Sequence, residues 1–376
     1  MQNRPVPFAD LYQQYLNLKP EMDAAIASVI AESSFIRGPH VETFEAAFAK
    51  AIGTNHCISA GNGTDTLYIA MRSLGVKPGD EVIVPAMSWI STSETVSQAG
   101  ATVVFCDLDP VTHTIGIKSL ESKIGPRTVG IIPVHLYGQP ADMDGVLACA
   151  ARHKLWVIED CAQAHLATYK GRTVGTMAIA GSFSFYPGKN LGAMGDAGAL
   201  VTNDADLARR MAMLARHGGI VKGVHEIEGI NSRLDGLQAA ILNVKLPHLA
   251  GWTKRRRQLA KAYIDALDGI AGLQLPRDTT NTEHVYHLFA ICHPARDALA
   301  QYLKTQGIQT VINYPKALPF LPCYAHQGAN PGDYPAAFRL QNELLCLPIF
   351  AEMTDAQVQQ VTEAVTQFCK VPKAAT

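Results

Sequence analysis

Residues 181–198 read GSFSFYPGKNLGAMGDAG and place a single lysine, Lys189, inside a run of glycines. A short apolar run, Ser182–Tyr186, leads directly into this turn and is typical of a buried strand. A lysine held there is partly desolvated, which lowers its pKa and allows it to form a Schiff base. The segment is not a Walker A phosphate loop, because Gly181 lies too far upstream and Asn190 replaces the required Ser or Thr. A lysine whose aliphatic stem is buried and whose charge reaches water is the alternative at this point.

Upstream, the stretch Val157–His165 reads VIEDCAQAH and ends an apolar run with two carboxylates. Ligands of parallel sheets gather at the carboxyl ends of the strands, so Asp160 either faces a binding crevice or caps the next helix. A buried carboxylate needs a cationic partner, and a protonated heterocyclic nitrogen would serve.

Further upstream, the stretch Ser59–Leu67 reads SAGNGTDTL and predicts a glycine-rich turn between a strand and a helix. The backbone N–H groups and the helix dipole at such a turn suit a phosphate. A plain helix cap at Thr64 explains the same residues. Thr66 stands where a dinucleotide-binding turn would carry its third glycine, which disfavours a nicotinamide dehydrogenase.

From the N-terminus to the C-terminus, the three stretches offer a phosphate site, a carboxylate for a ring nitrogen and an imine-forming lysine. Pyridoxal 5′-phosphate requires these three features, and we predict it as the cofactor. We predict no metal site: His284 and His287 lie in a predicted strand, without cysteine or acidic residues in ligand spacing.

The fold class predicted from the pattern is α/β. From about residue 56 to 217, short apolar runs alternate with amphipathic stretches, which predicts a mainly parallel sheet covered by helices on both faces. The predicted strands are His56–Ser59, Glu81–Pro85, Thr102–Asp107, Thr128–Leu136, Trp156–Asp160, Ser182–Tyr186 and Ala199–Thr202.

The last third of the chain predicts a smaller α+β domain. Its predicted elements are a helical tract at Arg233–Leu267, a strand at His287–Ile291, a helix at Arg296–Gln306, a strand at Thr310–Tyr314 and a final helix at Ala356–Phe368. We therefore predict a large cofactor-binding domain with an N-terminal arm over residues 1–250 and a small C-terminal domain over residues 251–376.

Composition narrows the class of protein. The chain has 376 residues, 48% of them hydrophobic and 17% charged, as expected of a compact enzyme. A net charge of −1 provides no global field for nucleic acid or an anionic membrane, and neither is predicted as a partner. The scattered cysteines form no C-x-x-C pair, and neither a signal peptide nor a run of about 18 apolar residues is present, so we expect a cytoplasmic protein.

The chain resembles the DegT/StrS family of sugar aminotransferases, which are fold-type I pyridoxal-phosphate enzymes. The resemblance implies an aspartate-aminotransferase-like large domain and runs nearly end to end. It is carried by FIRGPHVETFEAAFA, GNGTDTL, GDEVIVPAMSWISTSETVSQAGATVVFCDLD, IIPVHLYGQPADM, VIEDCAQAH, SFSFYPGKNLGAMGDAGALVTND, GINSRLDGLQAAIL and CLPIF.

The resemblance implies four residues around the cofactor ring. Lys189 would be the Schiff-base lysine and proton carrier, and Asp160 would bind the pyridinium nitrogen. Gln163 would contact the phenolic oxygen, and Trp89 would stack on the ring. An ordinary core tryptophan is the alternative for Trp89.

The resemblance also implies the residues around the cofactor phosphate. Gly63, Thr64 and Ser184 would bind it from their own chain. Asn231 would reach it from a second subunit, which makes the active unit a homodimer. A helix N-cap is the alternative role for Asn231.

The implied reaction moves an amino group from L-glutamate to a nucleotide-linked keto-sugar, for polysaccharide, lipopolysaccharide or other glycoconjugate biosynthesis. Residues 87–92, MSWIST, resemble members of the family that act on 4-keto sugars more than those that act on 3-keto sugars, which implies a slight preference for a 4-keto substrate. Alternatives are a related enzyme acting on another ketone, such as an amino-cyclitol precursor, and a non-catalytic regulatory relative. The regulator would be expected to have lost Lys189 or Asp160, and both are present.

Overall fold

The computed structural model describes residues 5–370, which contain thirteen α-helices and twelve strands. The helices are α1 (Leu11–Asn17), α2 (Lys19–Glu32), α3 (Pro39–Ile52), α4 (Gly63–Ser73), α5 (Ser91–Gln98), α6 (Ile117–Lys123), α7 (Met143–His153), α8 (Ala205–Ala215), α9 (Gly236–Lys245), α10 (Leu249–Leu267), α11 (Arg296–Thr305), α12 (Pro335–Glu343) and α13 (Asp355–Lys370). The strands are β1 (His56–Ala60), β2 (Glu81–Pro85), β3 (Thr102–Cys106), β4 (Thr128–Ile131), β5 (Trp156–Asp160), β6 (Thr168–Tyr169), β7 (Arg172–Thr173), β8 (Ala180–Ser184), β9 (Gly198–Thr202), β10 (Thr282–Glu283), β11 (Phe289–Cys292) and β12 (Leu344–Leu347).

The central sheet has seven strands in the order β1-β9-β8-β5-β4-β2-β3. The five strands from β8 to β3 run parallel; β9 pairs antiparallel with β8, and the edge strand β1 pairs antiparallel with β9 and so runs in the direction of the other five. The predicted mainly parallel α/β sheet is therefore confirmed. The carboxyl ends of β5 and β8 are neighbours, because Asp160 pairs with Ser182.

Both faces of this sheet are buried, because alternate residues of its strands enter different cores. In β2, Val82 and Val84 pack with α4, α5 and α8, whereas Ile83 packs with α6 and α7. At the other edge, Phe183 and Val201 pack with α3 and α9. Helices on both faces are what a largely parallel sheet requires.

A second core surrounds the two-stranded sheet of β11 and β12 and is closed by α10, α11 and α13. Val6 also belongs to this core, and its backbone N–H donates to Gly307 O at 2.9 Å. The predicted domain boundary at residues 250 and 251 stays a prediction.

The expected strand Thr310–Tyr314 is wrong: this segment makes one isolated bridge, from Val311 to Cys346. Within residues 5–370, no helix is both long and apolar enough to cross a bilayer.

Candidate active site

Lys189 sits in a tight turn directly after β8. Its backbone N–H donates to Tyr186 O at 2.8 Å, and a Cβ on Gly192 would lie 2.2 Å from Pro187 O, so the turn closes only with glycine there. The Lys189 side chain is half-buried. Desolvation lowers its pKa to about 8, against the opposing attraction of Asp160. A lysine with this pKa is about one-tenth neutral at pH 7, enough to act as nucleophile or base.

Asp160 ends β5 and is buried, with 5% of its surface exposed. Its Oδ2 accepts a hydrogen bond from Thr92 Oγ1 at 2.9 Å, and its Oδ1 accepts one from the Ala162 N–H at 3.1 Å. Burial raises its pKa, while these hydrogen bonds and the nearby Lys189 act in the opposite direction. No Lys, Arg or His in the described part of the chain forms a salt bridge with it. A protonated ring nitrogen would complete its environment.

The three predicted phosphate residues of this chain lie together, and we call them the phosphate cradle (Gly63, Thr64 and Ser184). A Cβ on Gly63 would come within 2.6 Å of Ser184 Cβ, so only glycine permits this approach. Gly63 is the first residue of α4, and Asn62 caps that helix by accepting from the Asp65 N–H at 2.8 Å. The cradle therefore sits at a helix N-terminus, where an anion is stabilised. The sequence alternative of Thr64 as the helix cap is wrong, because Asn62 takes that position.

Gln163 and Trp89 share a neighbour, Tyr314. Gln163 Oε1 accepts from the Tyr137 N–H at 2.6 Å, and its Nε2 donates to the Tyr314 hydroxyl at 2.8 Å. One N–H of the Gln163 amide remains for a ligand. The Trp89 ring is 58% exposed, with its centroid 5.5 Å from that of Tyr314, so Trp89 is not a core tryptophan.

Asn231 is exposed and lies next to the loop that carries the cradle of its own chain. The adjacent Ser232 Oγ donates to Asp65 Oδ2 at 2.7 Å and accepts from the Gly61 N–H at 2.9 Å. The N-cap of α9 is Asp235, which removes the capping alternative for Asn231. Its role toward a second subunit stays a prediction.

Sequence reasoning missed two residues that fix the predicted ones. Thr92 orients Asp160, and Tyr314 contacts both Gln163 and Trp89. The polar run Ser91–Thr92–Ser93, which begins two residues after Trp89, was the available signal for Thr92. Nothing local distinguished Tyr314, because its partner Gln163 lies 151 positions away in the sequence.

A group of potential metal ligands, His135, Glu159 and Cys161, lies buried beside the site. His135 Nε2 donates to Glu159 Oε2 at 3.1 Å, and its Nδ1 accepts from the Ala141 N–H at 3.0 Å. The two Glu159 oxygens also accept three backbone N–H groups from the loop at residues 175–178, at 2.8 to 2.9 Å. Because the imidazole and carboxylate already have partners, this group is an internal brace that needs no ion.

These residues fit pyridoxal phosphate. The cradle could take a phosphate, a protonated ring nitrogen could serve as the cation that the buried Asp160 lacks, and Lys189 has the lowered pKa that an imine-forming lysine needs. When bound, the cofactor supplies a carbonyl that amino groups attach to and a ring that withdraws electrons. The fold and site together define a fold-type I pyridoxal-phosphate enzyme.

Residues 17–366 match the sequence profile of the DegT/DnrJ/EryC1/StrS aminotransferase family. The chain belongs to this family, and it is a pyridoxal-phosphate-dependent aminotransferase.

Two characterised relatives illustrate the similarity. The dTDP-3-amino-3,4,6-trideoxy-alpha-D-glucose transaminase of Streptomyces venezuelae is 43% identical over 365 residues, covering 97% of this chain and 96% of the relative. A pleiotropic regulatory protein of Geobacillus stearothermophilus is 44% identical over 365 residues, covering 96% of this chain and 98% of the relative.

Two solved structures share the fold. That of S. venezuelae DesV in complex with a ketimine intermediate has a TM-score of 0.96 and 42% identity, covering 98% of this chain and 99% of the other. That of ntda from Bacillus subtilis with bound cofactor PMP has a TM-score of 0.91 and 30% identity, covering 98% and 87%.

Proposed function

We propose that this protein transfers the amino group of L-glutamate to the C3 keto group of a nucleotide-linked sugar. The observation that carries the proposal is the juxtaposition of a lysine of lowered pKa, a buried carboxylate without a cationic partner and a phosphate cradle. The family membership supports the transaminase chemistry.

Lys189 is the catalytic residue of the proposal. Its Nζ would hold the cofactor, and the neutral amine would accept the proton from the α-carbon of the amino donor. Burial favours proton transfer by Lys189, because it lowers the pKa of this lysine to about 8 and so makes the neutral amine accessible near physiological pH.

Asp160 holds a proton on the cofactor ring nitrogen. Its hydrogen bonds from Thr92 and from the Ala162 N–H fix the carboxylate orientation before the cofactor arrives. Gln163 contacts the phenolic oxygen with its remaining N–H, and Trp89 covers one ring face. The cradle binds the phosphate.

The position of amination is proposed as C3 because the S. venezuelae relative is named for an amino group at carbon 3. This replaces the slight preference for a 4-keto sugar drawn from residues 87–92. Glutamate is proposed as donor from the family resemblance. A panel of 3-keto and 4-keto sugar nucleotides and a keto-cyclitol, with product analysis, separates these substrates.

A homodimer is proposed as the active unit, with Asn231 reaching the partner's cofactor phosphate. In a single chain Asn231 is exposed beside the loop that precedes the cradle, so a second copy docked on this surface would bring it near the other site.

The test is the visible absorbance of the purified protein, with Lys189→Ala beside the exposed-lysine control Lys261→Ala on α10. We expect wild type and Lys261→Ala to be yellow with cofactor and to be bleached by glutamate, whereas Lys189→Ala shows neither property. A wild-type protein that stays colourless after incubation with pyridoxal phosphate would overturn the proposal and favour a regulatory role, as in the name of the G. stearothermophilus relative. A yellow protein indifferent to glutamate would overturn the donor assignment.

A further inference from the structure

Residues 284–288, here called the strap, cross behind the Lys189 turn and lead into β11. The Val285 N–H donates to Gly138 O at 3.1 Å, and the Leu288 N–H donates to Tyr137 O at 3.3 Å. A Cβ on Gly138 would lie 2.8 Å from Val285 Cγ2, so the strap lies directly against this glycine. The strap is thus held against the segment whose Tyr137 also binds Gln163.

Arg256 of α10 fixes the strap from the other side. Its Nη1 lies 3.0 Å from Tyr286 O, 3.3 Å from His287 O and 2.9 Å from Ile349 O, and the residue is buried. A planar guanidinium bonded to three carbonyls is a rigid support. The strap therefore has a defined position relative to the Lys189 turn.

Asn190, the residue after Lys189, joins that turn to the strap. Its Nδ2 donates to Val285 O at 3.2 Å, which assigns Oδ1 as the acceptor. His287 Nδ1 lies 3.2 Å from this oxygen and must carry the proton. Both side chains are buried, with 4% of Asn190 and 9% of His287 exposed.

The surroundings keep the His287 ring neutral. Burial and then the neighbouring Lys189, Arg256, His165 and His284 hold its pKa well below the ordinary value. The hydrogen on Nδ1 is therefore the donor to Asn190 at any pH at which the protein works.

We propose that the Asn190–His287 pair is a positioning device for Lys189, in which His287 fixes the Asn190 amide and thereby the turn that aims the lysine. The inference rests on the role of Lys189 in the proposed function. Small displacements of a reacting group are costly, up to about 10²-fold in rate for 1 Å, so a buried brace on the neighbouring residue has catalytic consequences.

The test variants are chosen to remove or keep the hydrogen-bond donor at His287 Nδ1. His287→Leu removes the donor, whereas His287→Asn keeps an N–H donor near the position of Nδ1. His284→Leu is the matched control, because His284 is a buried histidine of the same strap whose Nδ1 accepts from the Tyr286 N–H and which makes no hydrogen bond to Asn190. We expect His287→Leu to lower kcat by about 10²-fold with little change in KM, and His287→Asn to recover most of the loss.

A second measurement uses the protein without cofactor. The pH dependence of Lys189 acetylation by acetic anhydride, quantified by mass spectrometry, reports the lysine pKa directly. Loss of the brace would leave Lys189 less fixed and more exposed to water, so its pKa should rise from about 8 toward the ordinary 10.5 in His287→Leu and in Asn190→Ala, but not in His284→Leu or His287→Asn. The double variant, with both His287→Leu and Asn190→Ala, should have a kcat no lower than either single variant, because both substitutions remove the same contact.

The outcomes separate the two proposals. A Lys189→Ala protein that keeps the wild-type colour overturns the proposed role of Lys189. If Lys189→Ala is colourless but His287→Leu matches His284→Leu in kcat and in the acetylation profile, the positioning role alone is overturned.

Discussion

His165 is a buried histidine that the proposed chemistry does not use. Its ring packs among Phe48, Phe183 and Phe185, with centroids 5.5 to 6.5 Å away. In the described part of the chain, neither ring nitrogen has a hydrogen-bond partner of standard geometry. Burial, and then the nearby Lys189, lowers its pKa to about 3, which the Ser184 backbone opposes. The folded protein therefore holds this ring neutral at a cost in polar desolvation.

Because His165 is buried and neutral, the folded state becomes less stable as the pH falls. Because the folded pKa is near 3 and the unfolded value is 6.5, the unfolded chain binds an extra proton between these values. Stability is thus lost as the pH falls below about 6.5, by about 2 kcal/mol at pH 5 from this residue alone. We expect His165→Leu to remove this loss, measured as the difference in urea unfolding free energy between pH 7 and pH 5.

His284→Leu is the control for this experiment. His284 has a pKa lowered to about 3 by burial and then Arg257, but its Nδ1 accepts the Tyr286 N–H at 2.8 Å. Its replacement should also reduce acid sensitivity, yet cost about 1 kcal/mol at pH 7 through the lost hydrogen bond. An unchanged pH 7 to pH 5 difference in His165→Leu would show that His165 is not held neutral.

At the residue scale, sequence reasoning could single out Lys189 and Asp160 because their neighbours in the chain carry the signal: glycines around one, an apolar strand before the other. The polar run around Thr92 was visible, but its contact with Asp160, 68 positions away, could not be predicted from it. Contacts between distant segments depend on the strand order, which no local pattern encodes.

At the scale of elements, two predicted strands, Glu81–Pro85 and Trp156–Asp160, have the predicted bounds in the structure. The predicted strand Thr128–Leu136 is too long and ends at Ile131. Pro133 has no N–H to continue the ladder, and a 3₁₀ turn follows at Leu136–Gly138. The missed strand β12 is a four-residue apolar run, too short for periodicity to identify.

The predicted helical tract Arg233–Leu267 consists of two helices. α9 ends at Lys245, a 3₁₀ turn spans Leu246–His248, and α10 begins at Leu249. Pro247 lies in that turn and cannot donate the N–H that a continuous helix needs. The tract was predicted without a break, because the apolar pattern continues across Pro247.

Helix α12 depends on a cap from another element. Its own N-cap residue, Tyr334, makes no side-chain cap bond. Asp107, directly after β3, accepts instead from the Ala336 N–H at 3.0 Å and the Ala337 N–H at 2.9 Å. One carboxylate therefore joins the central sheet to the helix that precedes β12.

We expect Asp107→Ala to lower the unfolding free energy by about 1–2 kcal/mol and Asp107→Asn to cost less, because one acceptor oxygen remains. Amide hydrogen exchange should show the lost protection at α12. The comparison is Asp204→Ala, which removes the local cap of α8, where Asp204 accepts from the Leu207 N–H at 2.8 Å. Unchanged exchange at α12 in Asp107→Ala would contradict the remote cap.

At the scale of the whole molecule, large apolar side chains are exposed close to Asn231. They lie on two segments whose backbones contact Asn231 or residues near it in the chain. The Gly236 N–H donates to Phe35 O at 2.7 Å, and Arg216 pairs with Asn231. The exposed side chains on these segments are Phe35, Ile36, Ile220, Val221, Val224 and Ile227. Such a surface favours a second copy of the chain as its partner.

The proposed dimer predicts complementation between two impaired variants, Lys189→Ala and Asn231→Ala. If Asn231 serves the partner's site, a mixed dimer has one site with both residues intact. Random mixing should then restore about a quarter of wild-type activity, because half of the dimers are mixed and each has one working site. Light scattering checks the dimer. No recovery from a proven mixed dimer would place Asn231 in its own chain's site.

The edge position of β1 also affects how the protein is made. Within residues 5–370 its one neighbour in the sheet is β9, whose last residue, Thr202, follows Ala60 by 142 positions. At roughly 5–20 residues per second, a ribosome needs about 7–28 s to synthesise that interval. Until then β1 has no partner strand, and for most of that time the glycine turn after it has no Ser184 to pack against. The nascent chain thus carries an unpaired edge strand for seconds before its partner exists.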